Sequence, residues 1–221
     1  MSTIRRSIPV ALAALVYAGA ALAADRARIR FNAADQAAAR AAVLQAADFA
    51  QAKGWTGGRT KPQLTSGLTC ANFRPKQSDL VLTGAAASQY QHRSGFAFQS
   101  VAHVLRTRQM VRLDWKRSVD NPALLPCLRS TFEKNAKAQN LRIVSVRRVS
   151  FPRLATFSAA YRVEIEVRPG GRRIRMLSDI VLLGRGRTEL TLTATAPSAS
   201  RATVEAAEIR LARRLVARIR A

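Results

Sequence analysis

Between Ser158 and Ala196, apolar residues recur at alternate positions in three runs separated by two glycine turns, a pattern that commits this part of the chain to antiparallel strands. In the first run Tyr161, Val163, Ile165 and Val167 alternate with Arg162, Glu164, Glu166 and Arg168, the mark of a strand with one buried face. Pro169-Gly170-Gly171 ends it. A two-residue turn at Gly170-Gly171 predicts Val167 opposite Ile174, Ile165 opposite Met176 and Tyr161 opposite Ile180 on the apolar face. The same register sets Glu166 against Arg175 and Arg162 against Asp179 on the other face. For the second turn, a three-residue loop Gly184-Arg185-Gly186 with Gly186 left-handed predicts Ile180 opposite Leu190 and Ser178 opposite Leu192. Leu177, Val181 and Leu183 occupy the second face of the middle strand. At ~25 cal/mol per Å² of apolar surface, that face calls for a cover.

Residues 1 to 23 read as an export signal: Arg5 and Arg6 form a basic start, Ile8 to Leu22 is apolar, and Ala21-Leu22-Ala23 is a small-x-small cleavage site. The run is short for a bilayer span, so no transmembrane segment is expected after cleavage. The remainder, 24-221, is long enough for one domain with a proper core. At 48% hydrophobic, with both strand and helix periods, it is not a disordered composition.

Asn32 to Ala52 is a predicted helix, with Asn32 as cap and Asp35 in its first turn. Trp55 to Lys76 reads as a long loop holding Cys70. Strands are expected over Leu80 to Gln91, Phe96 to Leu105 and Leu141 to Val149. Helices are expected over Thr107 to Val119, with Met110, Leu113 and Trp115 inward, and over Ala123 to Gln139. The last element, Ala202 to Arg220, repeats Val204, Leu211, Leu215 and Ile219 at helical spacing and should lie on the apolar face of the sheet. The fold class that follows is α+β: a single-domain sandwich, mainly antiparallel, packed by helices, with a long C-terminal helix.

The only cysteines are Cys70 and Cys127, and in an exported chain a lone pair most simply forms a disulfide, which in the chain-entropy model stabilises by roughly 4 kcal/mol. No metal site or cofactor is expected, since only His92 and His103 could assist. There is no Gly-x-Ser-x-Gly, Ser-x-x-Lys, His-Glu-x-x-His or phosphate-loop motif. A dispersed hydrolase site around His92 or His103 is the enzymatic alternative. Glu164 and Glu166 share one side of a strand, but their arginine neighbours suit a solvated charge ladder better than an acid–base pair.

Removing Arg5 and Arg6 from the formal charge of +24 leaves +22 on the exported part, a field that favours anionic partners. Arginine greatly outnumbers lysine and is spread along the chain, as an Ala/Arg-rich genome would also produce. Without aromatic interleaving or a helix-turn-helix pattern, nucleic acid is not the expected partner. The densest patch is Arg172, Arg173 and Arg175, with Arg185 and Arg187 toward the opposite end of the middle strand.

Three stretches carry a resemblance: Asp48-Phe49 through Gly54-Trp55, Leu82-Thr83-Gly84 with Gln99-Ser100-Val101, and Leu125-Pro126-Cys127-Leu128. With the element order, they resemble uncharacterised secreted domains of actinobacteria and related high-GC bacteria, the PsbP-like α/β/α sandwich and, more loosely, the extracellular sensor domain of PknH-type kinases. The resemblance implies a binding or sensor module in the cell envelope or periplasm. The expected ligand is anionic or amphipathic, or the partner an envelope protein. It would be met in a groove between sheet and helices or at the Trp55 to Lys76 loop, with Trp55, Arg172, Arg173 and Arg175 as contact residues. Electrostatic adhesion to an anionic wall polymer or DNA is the remaining alternative.

Overall fold

The structure, a computed structural model, describes residues 25–64, 68–139, 141–168 and 172–219. The expected export signal and the Gly170-Gly171 turn lie outside them.

The strands are β1 (Arg28–Ile29), β2 (Trp55–Thr60), β3 (Val81–His92), β4 (Ala97–Leu105), β5 (Arg142–Val149), β6 (Phe157–Val167), β7 (Ile174–Arg185) and β8 (Thr188–Pro197). They form one sheet in the order β1-β3-β4-β8-β7-β6-β5, with β2 beside the other half of β3. Only the β1–β3 pair is parallel. Four helices complete the described chain: α1 (Ala33–Ala42), α2 (Arg108–Ser118), α3 (Leu124–Ala138) and α4 (Arg201–Arg218). The α+β class and the C-terminal helix agree with the sequence reading.

The β6–β7 ladder has the expected register in every pair, from Tyr161 opposite Ile180 to Val167 opposite Ile174. The β7–β8 ladder does not. Arg185 pairs with Thr188, so the loop is the two residues Gly186 and Arg187, and Leu183 faces Leu190 while Val181 faces Leu192. Gly186 does adopt the left-handed conformation, with φ 58°. The register shift moves Leu190 and Leu192 onto the face of Leu177, Val181 and Leu183.

That face is the larger core. Ala39 and Ala42 of α1 and Val204, Leu211, Ala212 and Leu215 of α4 pack there on Leu177, Val181, Leu183, Leu190, Leu192, Ala194 and Ala196. α4 therefore covers the face that carries Arg162 and Asp179, not the face of Val163 and Ile165 as expected. The latter is closed by α3 through Phe132, Leu125 and Leu128, and Trp115 of α2 joins Tyr161 and Leu182 beside it. With helices on both sides, neither face of the central strands is left to water.

Three local corrections follow from contacts distant in sequence. The first helix stops at Ala42 because Val43 is extended and the Leu44 N–H donates to buried Ser100 Oγ at 2.8 Å; a short 3-10 turn, Ala46–Phe49, follows. The start of the expected Trp55 to Lys76 loop is strand β2, and β1 is a further edge strand. On α2 the fully enclosed side chains are Val111 and Trp115, while Met110 and Leu113 are half-buried. Thr107 caps α2 and Asn32 caps α1, each accepting from the backbone N–H three residues on.

Cys70 and Cys127 are joined, with Cα atoms 5.7 Å apart, so the segment before β3 is bolted to α3. Asp35 at the start of α1 takes both Nη atoms of Arg187, at 3.1 and 2.5 Å, and this pairing holds its carboxyl down at about 2. Arg185 donates to the Val216 carbonyl of α4. Both arginines of the second turn thus hold helices onto the sheet.

Candidate functional site: the arginine face of β5, β6 and β7

α1 and α4 leave the outer strands of their own face to solvent, and there the chain concentrates cations. Glu166 of β6 is flanked across the ladders by Arg142 of β5 and Arg175 of β7. Arg168 Nε and Nη2 both donate to Glu166 Oε1, at 3.1 and 2.9 Å, and Arg173 Nε lies 4.0 Å from the same oxygen. Two residues back, Glu164 receives Arg201 from the start of α4 at 2.5 Å and lies 4.0 Å from Arg147 of β5. The arginine beside Glu166 holds its carboxyl below the ordinary value.

Glu166 is 6% exposed, whereas Arg168 and Arg173 keep 53% and 68% of their side-chain surface in water. The carboxylates are sunk among arginine stems and the guanidinium heads stand outward. Such forks match phosphate or carboxylate oxygens in bidentate geometry. Arg172 and Arg175 are exposed at the same end of the sheet. The structure therefore brings Arg173 and Arg175, two of the three arginines singled out by sequence, against Glu166, and adds Arg142, Arg147, Arg168 and Arg201 from other elements, while Arg172 is exposed just before β7.

Trp55 is not part of this surface. It lies on β2, four strand spacings or about 19 Å from β7, half-buried against Phe49 at 4.5 Å, His92 at 5.2 Å and Phe98 at 5.6 Å. Nor is the space between sheet and helices a groove, since Leu177, Leu183, Leu190, Leu192, Leu211 and Leu215 fill it. A cleft of about 230 Å³ opens instead where β5 ends and β6 begins, lined by Arg148, Ser150, Phe151 and Ser158. It is smaller than the roughly 300 Å³ at which pockets for drug-sized ligands begin.

Arg162 departs from the expected solvated ladder. It is 4% exposed, donates through Nε to Asp179 at 2.6 Å and through Nη2 to the same carboxylate, and reaches Glu205 of α4 at 2.8 Å. α4 has converted a surface ion pair into a buried one.

The histidines occupy two settings. His92 Nδ1 meets Ser94 Oγ at 2.6 Å and also accepts the Ser94 N–H at 3.2 Å, while Nε2 lies 2.9 Å from the Lys53 carbonyl. The ring thereby clamps the β3–β4 turn to the loop before β2. His103 faces Glu189 across the β4–β8 ladder, and its buried Nε2 has no hydrogen-bond partner among the described residues. Burial pushes the His103 imidazole down; Glu189 is pushed well up, first by burial and then by its hydrogen bond and proximity to Asp114. No described cluster of His, Cys, Asp and Glu could hold a metal ion. None of the described helices is long and apolar enough to cross a membrane.

No family model matches the chain, and no curated protein matches it significantly. Among solved structures, the protein of unknown function PA94 from Pseudomonas aeruginosa aligns at 10% identity over 71% of this chain and 94% of its own, with a TM-score of 0.30. At that score the likeness carries neither fold nor function across.

Proposed function

We propose that this chain is an extracytoplasmic binding module that takes an anionic ligand on the arginine face of β5, β6 and β7. The observation that carries the reading is Glu166, sunk among Arg142, Arg168, Arg173 and Arg175, so that arginine heads are held in place but not neutralised. The Cys70–Cys127 bridge supports an oxidising compartment. A single sheet between two helical layers is compatible with the PsbP-like resemblance.

The test is binding of labelled inorganic polyphosphate, and of polyglutamate as a carboxylate counterpart, at low and moderate salt. Arg173→Gln with Arg175→Gln is expected to weaken binding at least tenfold, because two of the most exposed forks are lost. An equal loss from Arg93→Gln with Arg213→Gln, which remove the same charge from other exposed positions, would reduce the reading to bulk electrostatic adhesion. Unchanged affinity in the first variant would refute it.

The hydrolase reading has one contact in its favour, the 2.6 Å approach of Ser94 Oγ to His92 Nδ1. A fluorophosphonate probe that labels Ser94, and fails to do so in His92→Ala, would establish that reading over binding.

A further inference from the structure

We propose a second interaction surface, the free edge of β1, that rests on an anionic bilayer with Ile29 and Phe31 in the headgroup layer and Arg26, Arg28 and Arg30 on lipid phosphates. Among the described residues the exposed large apolar side chains are Ile29 at 51%, Phe31 at 40% and Val144 at 38%. Two of these three, Ile29 of β1 and Phe31 two residues beyond it, lie on one segment and alternate with three exposed arginines.

The segment is built into the sheet. Arg28 and Arg30 donate backbone N–H groups to Leu80 and Leu82 at 2.9 and 2.8 Å, Asn32 donates to Thr83 at 3.1 Å, and Arg28 Nε donates to the Ser78 carbonyl at 3.1 Å. β1 ends the strand order, so among the described residues no strand lies on its far side. Alternation on an extended chain sends Ile29 and Phe31 to one side and the arginines to the other.

Magnitude and charge favour a lipid surface over a protein. Two side chains are far short of the roughly 800 Å² per partner of a stable protein interface. A membrane surface adds apolar insertion to headgroup attraction, and each arginine near anionic lipid contributes separately. A second copy of this chain would bring like charge against like at this edge. The surface is independent of the arginine face, because β1 and β5 stand at opposite ends of the strand order.

The experiment is co-sedimentation of the chain Ala24 to Ala221, which contains every described strand, helix and core cluster, with phosphatidylcholine vesicles with and without phosphatidylglycerol. Ile29→Ser with Phe31→Ser is expected to lower partition onto the anionic vesicles about tenfold, and Val144→Ser to leave it unchanged. The proposal is overturned by unchanged partition in the double variant, or by an equal loss in Val144→Ser. A dimer that the double variant abolishes, without vesicle binding in the parent, overturns it too. Loss confined to Arg173→Gln with Arg175→Gln would move the membrane contact to the arginine face, ending this proposal while leaving the binding reading in place.

Discussion

Glu208 of α4 hydrogen-bonds to Asp179 of β7 in a space where the two residues are 3% and 1% exposed. Two carboxylates so placed cannot both be charged, and burial first, then Asp179, raise Glu208 to about 9. At neutral pH Glu208 is the protonated donor. Its Oε1 has no hydrogen-bond partner among the described residues, and Arg162 supplies the cation for Asp179. This shared proton adds to the apolar packing that holds the C-terminal helix to the sheet.

Because the folded value lies above the unfolded one near 4.5, the unfolded state releases this proton first as pH rises. Glu208 therefore makes stability fall between about pH 4.5 and 9, by at most about 1.4 kcal/mol per unit, and contributes no further slope above that. Glu208→Gln keeps a donor for Asp179 without the titration. It should lower stability by about 2 kcal/mol near pH 5, where the second amide N–H lacks a partner and little of the titration cost is yet present, and raise it by about 2 kcal/mol near pH 8.5, where the parent carries nearly all of that cost. Urea midpoints at the two pH values check this, and an unaltered alkaline decline in the variant would contradict it.

A Cβ on Gly84 would stand 2.2 Å from the Asp35 carbonyl oxygen, so α1 can lie this close to β3 only over a glycine. Gly84→Ala should lift the start of α1, loosen Asp35 from Arg187 and cost about 3 kcal/mol. Gly58→Ala, where a Cβ meets nothing within 4 Å, is the matched control and should be near neutral. Faster amide exchange along α1 in the first variant alone is the expected signature.

Cys70 and Cys127 close a loop across 57 positions and fasten the segment before β3 onto α3. Cys70→Ser with Cys127→Ser should lower unfolding free energy by about 4 kcal/mol, and reduced parent protein should match the variant. Trp115, which shares a core cluster with Phe73 and Cys127, reports the loosening through its emission. Equal urea midpoints with and without the bridge would show that packing alone holds this segment.

The arginine face was partly legible. Arg172, Arg173 and Arg175 are close in sequence, whereas Arg142, Arg147 and Arg201 reach the same surface from β5 and α4. The edge strands β1 and β2 gave weak signals: one has two residues, and the other carries Gly57 and Gly58, with its pairing supplied wholly by β3.

What the sequence determined by itself was local in origin. The alternation in β6 and β7, joined over a few residues, set their register; the caps Asn32 and Thr107 set two helix starts; and the 3.6-residue period of α4 marked Val204, Leu211 and Leu215 as buried. Only the tertiary structure decided which face α4 would cover. Helices lie on both sides of the sheet, so the in-out contrast that fixes register is weak for β8, and either placement of Leu190 and Leu192 satisfies the local pattern. That one decision enclosed Arg162, Asp179 and Glu208 and left Arg142, Arg168, Arg173 and Arg175 facing water, because a helix desolvates only the strands beneath it.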